Sequence, residues 1–378
     1  MKPLAIIAKT NPSKRAFNSA KTLKKQGGVA LISVLFVVAL GVIIAVEMSG
    51  RLQLQIQKAG NLSGNRQAYW YAVGAESLVK QQLKRINGKD SRSNVIHMGQ
   101  DWAKTGMVFP VDGGNISGEI KDLQSCFNLN SLASDDSAGS TSLTPGTKPG
   151  TKPSSTTTTS TPPRRNGMTY ASESFQRLLE AIEIDEVSEQ PAEYLAQRLK
   201  DWLDADGLQT GGGGMEEGDY MSLAIPYLAA NTLMTSISEL RLIGGFNPAV
   251  IAKIKPYVCV IPGNAELKIN INTLDGDKAK LLTAMLKGLS LDDAKTLISD
   301  SAPEGYPSVN EFWQKSEMNR VNSTAKTEAK KYFDVTTQYF ELKAQTSYGD
   351  SKFYLNSTLH INESKQVNVI ARKFGVDL

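Results

Sequence analysis

Residues 29–46 read VALISVLFVVALGVIIAV, a stretch of eighteen uncharged residues in which only Ser33 and Gly41 interrupt the apolar character. As an α-helix rising about 1.5 Å per residue it spans roughly 27 Å, close to the ~30 Å hydrocarbon core of a bilayer. A basic segment that ends in two glycines precedes it, and an amphipathic stretch follows. The sequence therefore predicts a single membrane helix at residues 29–48, with the remainder of the chain carried as a head outside the membrane.

The charge of the chain is divided unevenly along its length. The whole chain has 42 Lys and Arg against 38 Asp and Glu, a net charge of +4. Seven of the basic residues and none of the acids lie in residues 1–28, so without that segment 35 basic residues face 38 acids, a net charge of −3. This balance argues against a protein that binds nucleic acid through a basic surface.

Three interpretations of residues 1–48 compete. A secretory signal peptide would be cut after the apolar stretch, but EMSGRLQLQIQ follows and offers no A-x-A-like cleavage site. An uncleaved anchor would keep its basic side in the cytoplasm. A prepilin leader would be cut before the apolar stretch, at a glycine, and would leave the helix on the mature protein.

The third interpretation fits best, because Gly27-Gly28 followed by VALISVLFV resembles the N-terminus of type IV pilins and type II secretion pseudopilins. The resemblance implies cleavage between Gly28 and Val29 and methylation of the new amino group of Val29. Most members carry Glu at the fifth mature position, where this chain has Ser33. The chain is similar in this to the K-type minor pseudopilin, in which the missing acid suits a subunit at the filament tip. A tolerated polar residue in a membrane helix is the alternative explanation of Ser33.

The pattern of apolar residues indicates the rest of the fold. Helical spacing without proline continues to Ile86, so one helix is predicted over residues 29–86. NRQAYWYAVGAESL and CFNLNSL also resemble the K-type family. Further patterns predict one helical face, a capping box before a helix, and two alternating strands, at Phe175, Leu178, Leu179 and Ile182, at Ser236 and Glu239, at Leu267, Ile269 and Ile271, and at Phe340, Leu342 and Ala344. This order of elements predicts an α+β fold: a pilin-like long N-terminal helix packed on an antiparallel sheet, with a large inserted α-helical domain of SAM-like or helix-hairpin-helix units. The predicted segments are a leader at 1–28, a membrane or filament-core helix at 29–48, an amphipathic helix with the first strands at 49–130, a disordered Ser/Thr/Pro-rich loop at 131–168, the inserted helical domain at 169–330 and C-terminal strands at 331–378.

Two cysteines, Cys126 and Cys259, lie far apart in the sequence. In an oxidising compartment they could form a disulfide that closes a long loop; in a reducing one they would be two buried free thiols. The membrane segment argues for export and hence for the disulfide.

The densest group of acids is DWLDADGLQTGGGGMEEGDY, Asp201 to Tyr220. Hard oxygen ligands in a loop that the tetraglycine makes flexible suit calcium, whereas a solvated acidic loop is the alternative. An EF-hand is excluded, because the twelfth position counted from Asp204 is Met215. The K-type family binds calcium through a similar stretch, so the resemblance implies structural calcium. The predicted ligands are Asp204, Asp206, Glu217 and Asp219, with Asp201 and Glu216 as further candidates.

No enzyme signature is present in the sequence. It lacks a G-x-S-x-G motif, and Gly211–Gly214 lack the Lys-Ser/Thr of a phosphate loop. The adjacent acids Glu216 and Glu217 suggest a glycosidase only weakly, because adjacent carboxylates rarely serve as opposed acid and nucleophile. Helix-hairpin-helix units near Arg241, Lys253 and Lys255 raise DNA binding as a rival, which the acidic charge of the mature chain opposes.

The resemblance implies a non-enzymatic minor pseudopilin of the type II secretion system, which caps the pseudopilus tip and helps initiate its assembly. It implies an inner-membrane anchor and a periplasmic head. The implied partners are the I- and J-type minor pseudopilins, other pseudopilins, the prepilin peptidase and the inner-membrane assembly platform, with no nucleic acid. The alternative is a minor pilin of a type IV pilus or DNA-uptake machine.

Overall fold

The computed structural model describes residues 28–86, 95–133, 168–301 and 304–375. The chain divides into two compact units, residues 1–62 and 63–378. The predicted leader, except Gly28, lies outside the described residues. Most of the predicted disordered loop at 131–168 does so as well.

The first unit contains most of the long helix α1, Val29–Ile86, whose predicted bounds are confirmed. Every side chain from Val29 to Leu62 is exposed. Among the described residues α1 is the one helix long and apolar enough to cross a membrane. The hydroxyl of Ser33 lies 3.0 Å from the carbonyl oxygens of both Val29 and Ala30. Its polarity is therefore satisfied inside the helix, which explains how the apolar stretch accommodates it.

The second unit is built on a five-stranded sheet in which every neighbouring pair is antiparallel. Across the sheet the strands follow in the order β1 (Val108–Val111), β2 (Gly114–Asp122), β7 (Tyr339–Tyr348), β8 (Ser351–Ile361) and β9 (Val367–Phe374). Its inner face packs on α1 from Ser63 onward, with Ala72, Leu83, Phe340 and Leu359 in one apolar cluster. This confirms the predicted alternation of the last strands. Among the described residues the other strands are β3 Phe127–Asn128, β4 Val258–Cys259, β5 Ile269–Asn270 and β6 Phe333–Asp334.

An ion pair between a buried carboxylate and a half-exposed arginine fastens α1 to this sheet. The carboxylate of Glu76 accepts hydrogen bonds from Ser357 Oγ at 2.8 Å and from Arg372 Nε at 2.7 Å. Burial acts to raise the pKa of Glu76, but the hydrogen bonds from Arg372 and Ser357 outweigh it and hold the pKa below its usual range. Glu76 is therefore a charged link between α1 and the last two strands.

Short helices make up the inserted domain, and its core is the largest apolar cluster of the second unit. The predicted inward face of Phe175, Leu178, Leu179 and Ile182 is confirmed as buried. The predicted capping box of Ser236 and Glu239 is present, but it opens a 3-10 helix, Ile237–Leu242, rather than an α-helix. The α-helices after α1 are α2 Tyr170–Ala181, α3 Ala192–Leu203, α4 Glu217–Met221, α5 Pro248–Ile254, α6 Ala279–Met285, α7 Leu291–Ser301, α8 Val309–Trp313 and α9 Ser323–Ala329.

The edges of the helical domain differ from the predicted segments. Phe127–Asn128 do not join the antiparallel sheet; they pair in parallel with Val258–Cys259. Phe333–Asp334 pair in the same way with Ile269–Asn270. The strand predicted through Ile271 stops at Asn270, because the Asn270 side chain accepts a hydrogen bond from Asn272 N at 3.0 Å and starts a 3-10 turn.

The junction between sheet and helical domain is polar and buried. Asp122, at the end of β2, accepts hydrogen bonds from Thr273 Oγ1 at 2.5 Å, Thr337 Oγ1 at 2.6 Å and Gln124 N at 2.6 Å. Burial raises the pKa of Asp122 to about 6, although these hydrogen bonds act in the opposite direction.

A disulfide lies beside this carboxylate. Cys126 and Cys259 are bonded, with a Cα–Cα distance of 5.8 Å and a sequence separation of 133 residues. It joins the segment that follows β2 to β4 of the helical domain.

Candidate metal centre

The acidic stretch begins in the last turn of α3. Leu195, Leu199 and Leu203 face the core of the helical domain, as their spacing predicts. This orientation leaves Asp201 buried near the end of the helix and makes Asp204 its C-terminal cap. The first two carboxylates of the stretch are therefore positioned by an ordinary amphipathic helix.

The tetraglycine, predicted to be flexible, instead packs closely on α3. A side chain at Gly213 would collide with the ring of Tyr194, and one at Gly214 would collide with Asp201 Oδ2. Gly213 N donates to Gln197 Oε1 at 2.8 Å, and Arg198 Nε donates to Gly213 O at 3.0 Å. Glycine is needed here for close approach, and the turn carries the chain back so that Glu216 reaches the end of α3.

Three carboxylates then converge. Asp201, Asp204 and Glu216 each offer one oxygen, and these oxygens lie within 4.8 Å of one another. Asp201 also accepts a hydrogen bond from Thr210 N at 3.0 Å, and Lys200 Nζ lies 2.5 Å from Asp204 Oδ2. We call Asp201, Asp204 and Glu216 the carboxylate cluster.

The cluster is electrostatically unbalanced. Burial, together with the charges of Asp201, Asp204 and Asp206, raises the pKa of Glu216 to about 7. Burial also raises the pKa of Asp201. Both carboxylate oxygens of Glu216 are buried, and no side chain in the described part of the chain hydrogen-bonds to them. A proton or a cation at this position would therefore stabilise the fold.

The other predicted ligands have different places. Asp206 is exposed, and its Oδ1 accepts a hydrogen bond from Leu208 N at 2.9 Å. Asp219 Oδ2 caps α4 by accepting from Glu216 N at 2.9 Å, and it also accepts from Gln209 Nε2 at 2.6 Å. Glu217 is exposed at the start of α4. The structure thus brings Asp204 together with Asp201 and Glu216, and it leaves Glu217 and Asp219 outside the cluster.

Aromatic rings border the cluster on the side of the core. The ring centroids of Trp202 and Tyr220 lie 5.3 Å apart, and those of Tyr220 and Tyr227 also lie 5.3 Å apart. Trp202 directly follows Asp201 in the chain, and the charge of Asp201 acts on the Tyr220 phenol, so these rings lie near that carboxylate.

The chain matches two family models described as "Type II secretion system (T2SS), protein K", over residues 125–263 and 269–336. A protein K from Aeromonas hydrophila is 35% identical over 363 residues, covering 93% of this chain and 98% of that protein. One from Pectobacterium carotovorum is 34% identical, covering 93% and 97%. The chain belongs to the protein K family of type II secretion systems. The predicted K-type resemblance is confirmed, and this K-family chain is a minor pseudopilin.

A solved structure extends the comparison to the fold. The chain is similar to one in the GspK-GspI-GspJ complex of enterotoxigenic Escherichia coli, with a TM-score of 0.65 and 26% identity. The match covers 82% of this chain and 97% of that chain. The predicted fold class is thereby confirmed. The relatives named here are proteins of type II secretion systems. They favour the secretion subunit over the alternative drawn from the sequence, a minor pilin of a pilus or DNA-uptake machine.

The chemistry of the carboxylate cluster suits a hard cation. Its donors are carboxylate oxygens alone, without the histidine or cysteine ligands that zinc prefers. The buried carboxylate of Glu216, which lacks a side-chain partner, is the observation that tests the fit, because a divalent ion would neutralise it in place. The residues present therefore fit calcium, with the remaining ligands of its six to eight supplied by water or backbone oxygens.

Proposed function

We propose that this minor pseudopilin caps the tip of the pseudopilus and helps to initiate its assembly, so that folded proteins are exported across the outer membrane. It does so as a structural subunit without catalytic activity. The observation that carries the proposal is the start of α1, which has no acid in its first turn and has Ser33 at the fifth position after Gly28. In pilin-like filaments an acid at this position pairs with the amino group of a neighbouring subunit. A subunit without that acid is suited to the first place in the filament.

The N-terminal sequence supports a maturation step. Prepilin peptidase cleaves between Gly28 and Val29, and the new amino group of Val29 is methylated. The mature subunit then spans the inner membrane once through α1, from which the assembly platform lifts it into the filament beside other pseudopilins. A periplasmic head agrees with the disulfide, because such bonds persist in oxidising compartments.

The similar chain from Escherichia coli was solved in a complex named for GspK, GspI and GspJ. By this likeness, the I- and J-type minor pseudopilins are the partners of the chain described here. The three together form the tip from which the pseudopilus grows.

The carboxylate cluster binds structural calcium in this proposal. Asp201, Asp204 and Glu216 hold the ion, with Asp206 close enough for its charge to act on Glu216. Of the ligands predicted first, Asp204 stays in the set, while Glu217 and Asp219 serve the start of α4. The ion offsets the repulsion among the carboxylates, so chelation lowers the melting temperature of the protein; an unchanged melt with and without EDTA would count against calcium.

Maturation is tested by Gly28→Leu, with Gly41→Leu as the matched control in α1. A Cβ at Gly41 meets no atom within 4 Å, so this variant is processed normally. Gly28→Leu leaves the leader uncut and stops secretion, and the mass of the parent protein shows a methylated Val29. Normal processing of Gly28→Leu, or a native chain beginning at Met1 or well beyond Val46, would refute the prepilin step.

The tip position is tested separately, by labelling the head and locating the label on assembled pseudopili. We expect label at one end of each filament only. Label distributed along the filament would refute tip capping while leaving maturation intact.

A further inference from the structure

A polar cleft of about 220 Å³ opens at the junction between the sheet and the helical domain. This volume is the space of about seven water molecules, which holds one small ring but not an α-helix of about 10 Å diameter. No residue of the carboxylate cluster lines it. Most of its wall consists of side chains that form hydrogen bonds, namely Asn264, Glu266, Lys268, Asp334, Thr336 and Gln338. We call it the 264–338 cleft.

The alternation of two segments of the chain builds this wall. In the segment that leads from β6 to β7, Val335 and Thr337 are buried, whereas the residues between and beside them line the cleft. In the segment before β5, Leu267 is buried between Glu266 and Lys268, which line it. Successive side chains of an extended segment point to opposite sides, so packing one set in the core presents the other set to the cleft. The polar lining is therefore a consequence of how the core is packed.

Hydrogen bonds hold the wall in place. Asn128 Nδ2 donates to the carbonyl oxygens of Asn264 at 2.9 Å and of Glu266 at 3.1 Å. Asn264 Nδ2 in turn donates to Tyr339 Oη at 2.8 Å. The ring of Tyr339 is stacked on that of His360, with the centroids 4.6 Å apart. The cleft is therefore preformed, which lowers the entropy cost of binding a ligand.

One buried side chain offers an unused donor to the cleft. Gln124 is only 7% exposed, and it lines the cleft. Its Oε1 accepts a hydrogen bond from Gln338 N at 2.6 Å, and this fixes the orientation of the amide because the oxygen must face the backbone N–H. Its Nε2 makes no hydrogen bond to another described residue. This nitrogen is left to donate to a group that enters the cleft.

The charges in the cleft favour a ligand without net charge. Lys268 Nζ lies 3.8 Å from Asp334 Oδ2, and Glu266 makes no ion pair with another described residue. The two carboxylates oppose an anion, whereas the ammonium of Lys268 and the unused donor of Gln124 oppose a cation. A hydroxyl group both donates and accepts, so a neutral ligand with several hydroxyls matches this mixture of donors and acceptors.

We propose that the 264–338 cleft binds one ring of a neutral saccharide. Gln124 Nε2 and Lys268 Nζ donate to hydroxyl oxygens of the ring. Asp334 and Thr336 accept from its hydroxyl groups, and its CH groups pack on Ile261, the aliphatic side chain of the wall. This proposal goes beyond tip capping and calcium binding, and it rests on neither.

The experiment is saturation-transfer NMR on the full-length protein, in a detergent without a sugar headgroup. The probes are glucose, galactose and N-acetylglucosamine, together with n-butylammonium as a mimic of a lysine side chain. We expect transfer to at least one saccharide, with a Kd in the millimolar range that suits a single ring, and none to n-butylammonium. Transfer to n-butylammonium would assign the cleft to a lysine of a partner protein and would overturn the proposal. The absence of transfer to every saccharide would overturn it as well.

Substitutions then locate the binding. Thr336→Phe fills the cleft and should lower the affinity for the saccharide at least about tenfold. Thr336→Val keeps the shape but removes one hydroxyl, so it should lower the affinity about two- to tenfold, as for the loss of one hydrogen bond. Thr105→Phe is the matched control, because Thr105 is exposed and does not line the cleft, and it should leave the affinity unchanged.

The melting temperatures of these variants separate loss of binding from loss of the fold. Thr336 is half-buried, and its hydroxyl makes no hydrogen bond to another described residue, so all three variants should melt with the parent. If Thr336→Phe melts lower, the smaller change Thr336→Val decides the question alone. Saccharide binding that is unchanged in Thr336→Val, or that survives a correctly folded Thr336→Phe, would refute the assignment to this cleft.

Discussion

Replacing Glu216 by glutamine should have opposite effects on stability with and without calcium. The amide has the shape of the protonated side chain and carries no charge, so it removes the cost of burying a charge at this position and the repulsion from Asp201 and Asp204. The pKa of Glu216 is raised from 4.5 to about 7. The folded state therefore binds this proton more tightly than the unfolded chain does. Without a cation, stability should fall as the pH rises from about 4.5 through 7.

The magnitude follows from that shift. If the whole pKa shift of Glu216 acted on stability at about 1.4 kcal/mol per pKa unit, ionised Glu216 would lower the free energy of unfolding by roughly 3 kcal/mol at pH 8. Solvent near the exposed Asp206 screens part of the repulsion, so we expect about 1–2 kcal/mol. For a chain of this size that corresponds to a rise in melting temperature of about 2–6 °C in chelator. In millimolar calcium the same change removes a ligand, so the melting temperature should fall below that of the parent.

The assay is thermal unfolding of the detergent-solubilised protein at pH 8, with EDTA or with calcium. Glu217→Gln is the matched control, because Glu217 is adjacent in sequence, exposed and outside the carboxylate cluster. It should change neither melt by more than the measurement error. The reasoning is refuted if Glu216→Gln lowers the melt in EDTA, or if it leaves the response to calcium intact.

Three other changes test the junctions within the head. Asp122→Ala should cost about 2–4 kcal/mol, because buried donors lose their acceptor. Because the pKa of Asp122 is raised, the stability of the parent should fall as the pH rises from about 4 to about 6. Asp122→Asn should cost less than Asp122→Ala and should abolish this fall. Replacing both Cys126 and Cys259 by alanine should lower the free energy of unfolding by about 3–5 kcal/mol, measured by urea titration without reductant. Arg372→Ala should cost about 3 kcal/mol, since it leaves Glu76 charged and buried. Lys80 Nζ lies 3.5 Å from Glu76 Oε1, and Lys80→Ala should cost far less. Because the pKa of Glu76 is lowered, the stability from the Arg372 pair should be lost as the pH falls below about 4.5, the reverse of the trend for Asp122.

Local pattern was sufficient for much of the fold. The bounds of α1 follow from continuous helical spacing between Val29 and Ile86 without proline. The buried face of β7 follows from the alternation of Phe340 and Leu342. Both patterns can be read from neighbouring residues in the sequence, without knowledge of contacts between distant segments.

The composition of the carboxylate cluster depended on contacts that the sequence does not display. The order of acids from Asp201 to Asp219 in the sequence gave no reason to separate Glu216 from Glu217. The separation comes from the tetraglycine, which packs on Tyr194 and Gln197 and returns the chain to α3. The spacing of Glu216 and Asp219 as a capping pair was the one available signal, since it assigns Asp219 to the start of α4.

The two places where the chain passes between the sheet and the helical domain are fixed by the same few groups. The chain leaves the sheet after Asp122 and returns to it at Tyr339, and Leu123 N donates to Tyr339 O at 3.0 Å. Asp122 binds Thr337 just before the return, and the disulfide holds Cys126 just after the exit. Displacing the helical domain relative to the sheet would therefore break buried hydrogen bonds at both crossings. Under the proposed tip role, a displacement applied to the sheet is therefore resisted at both crossings by the same few groups.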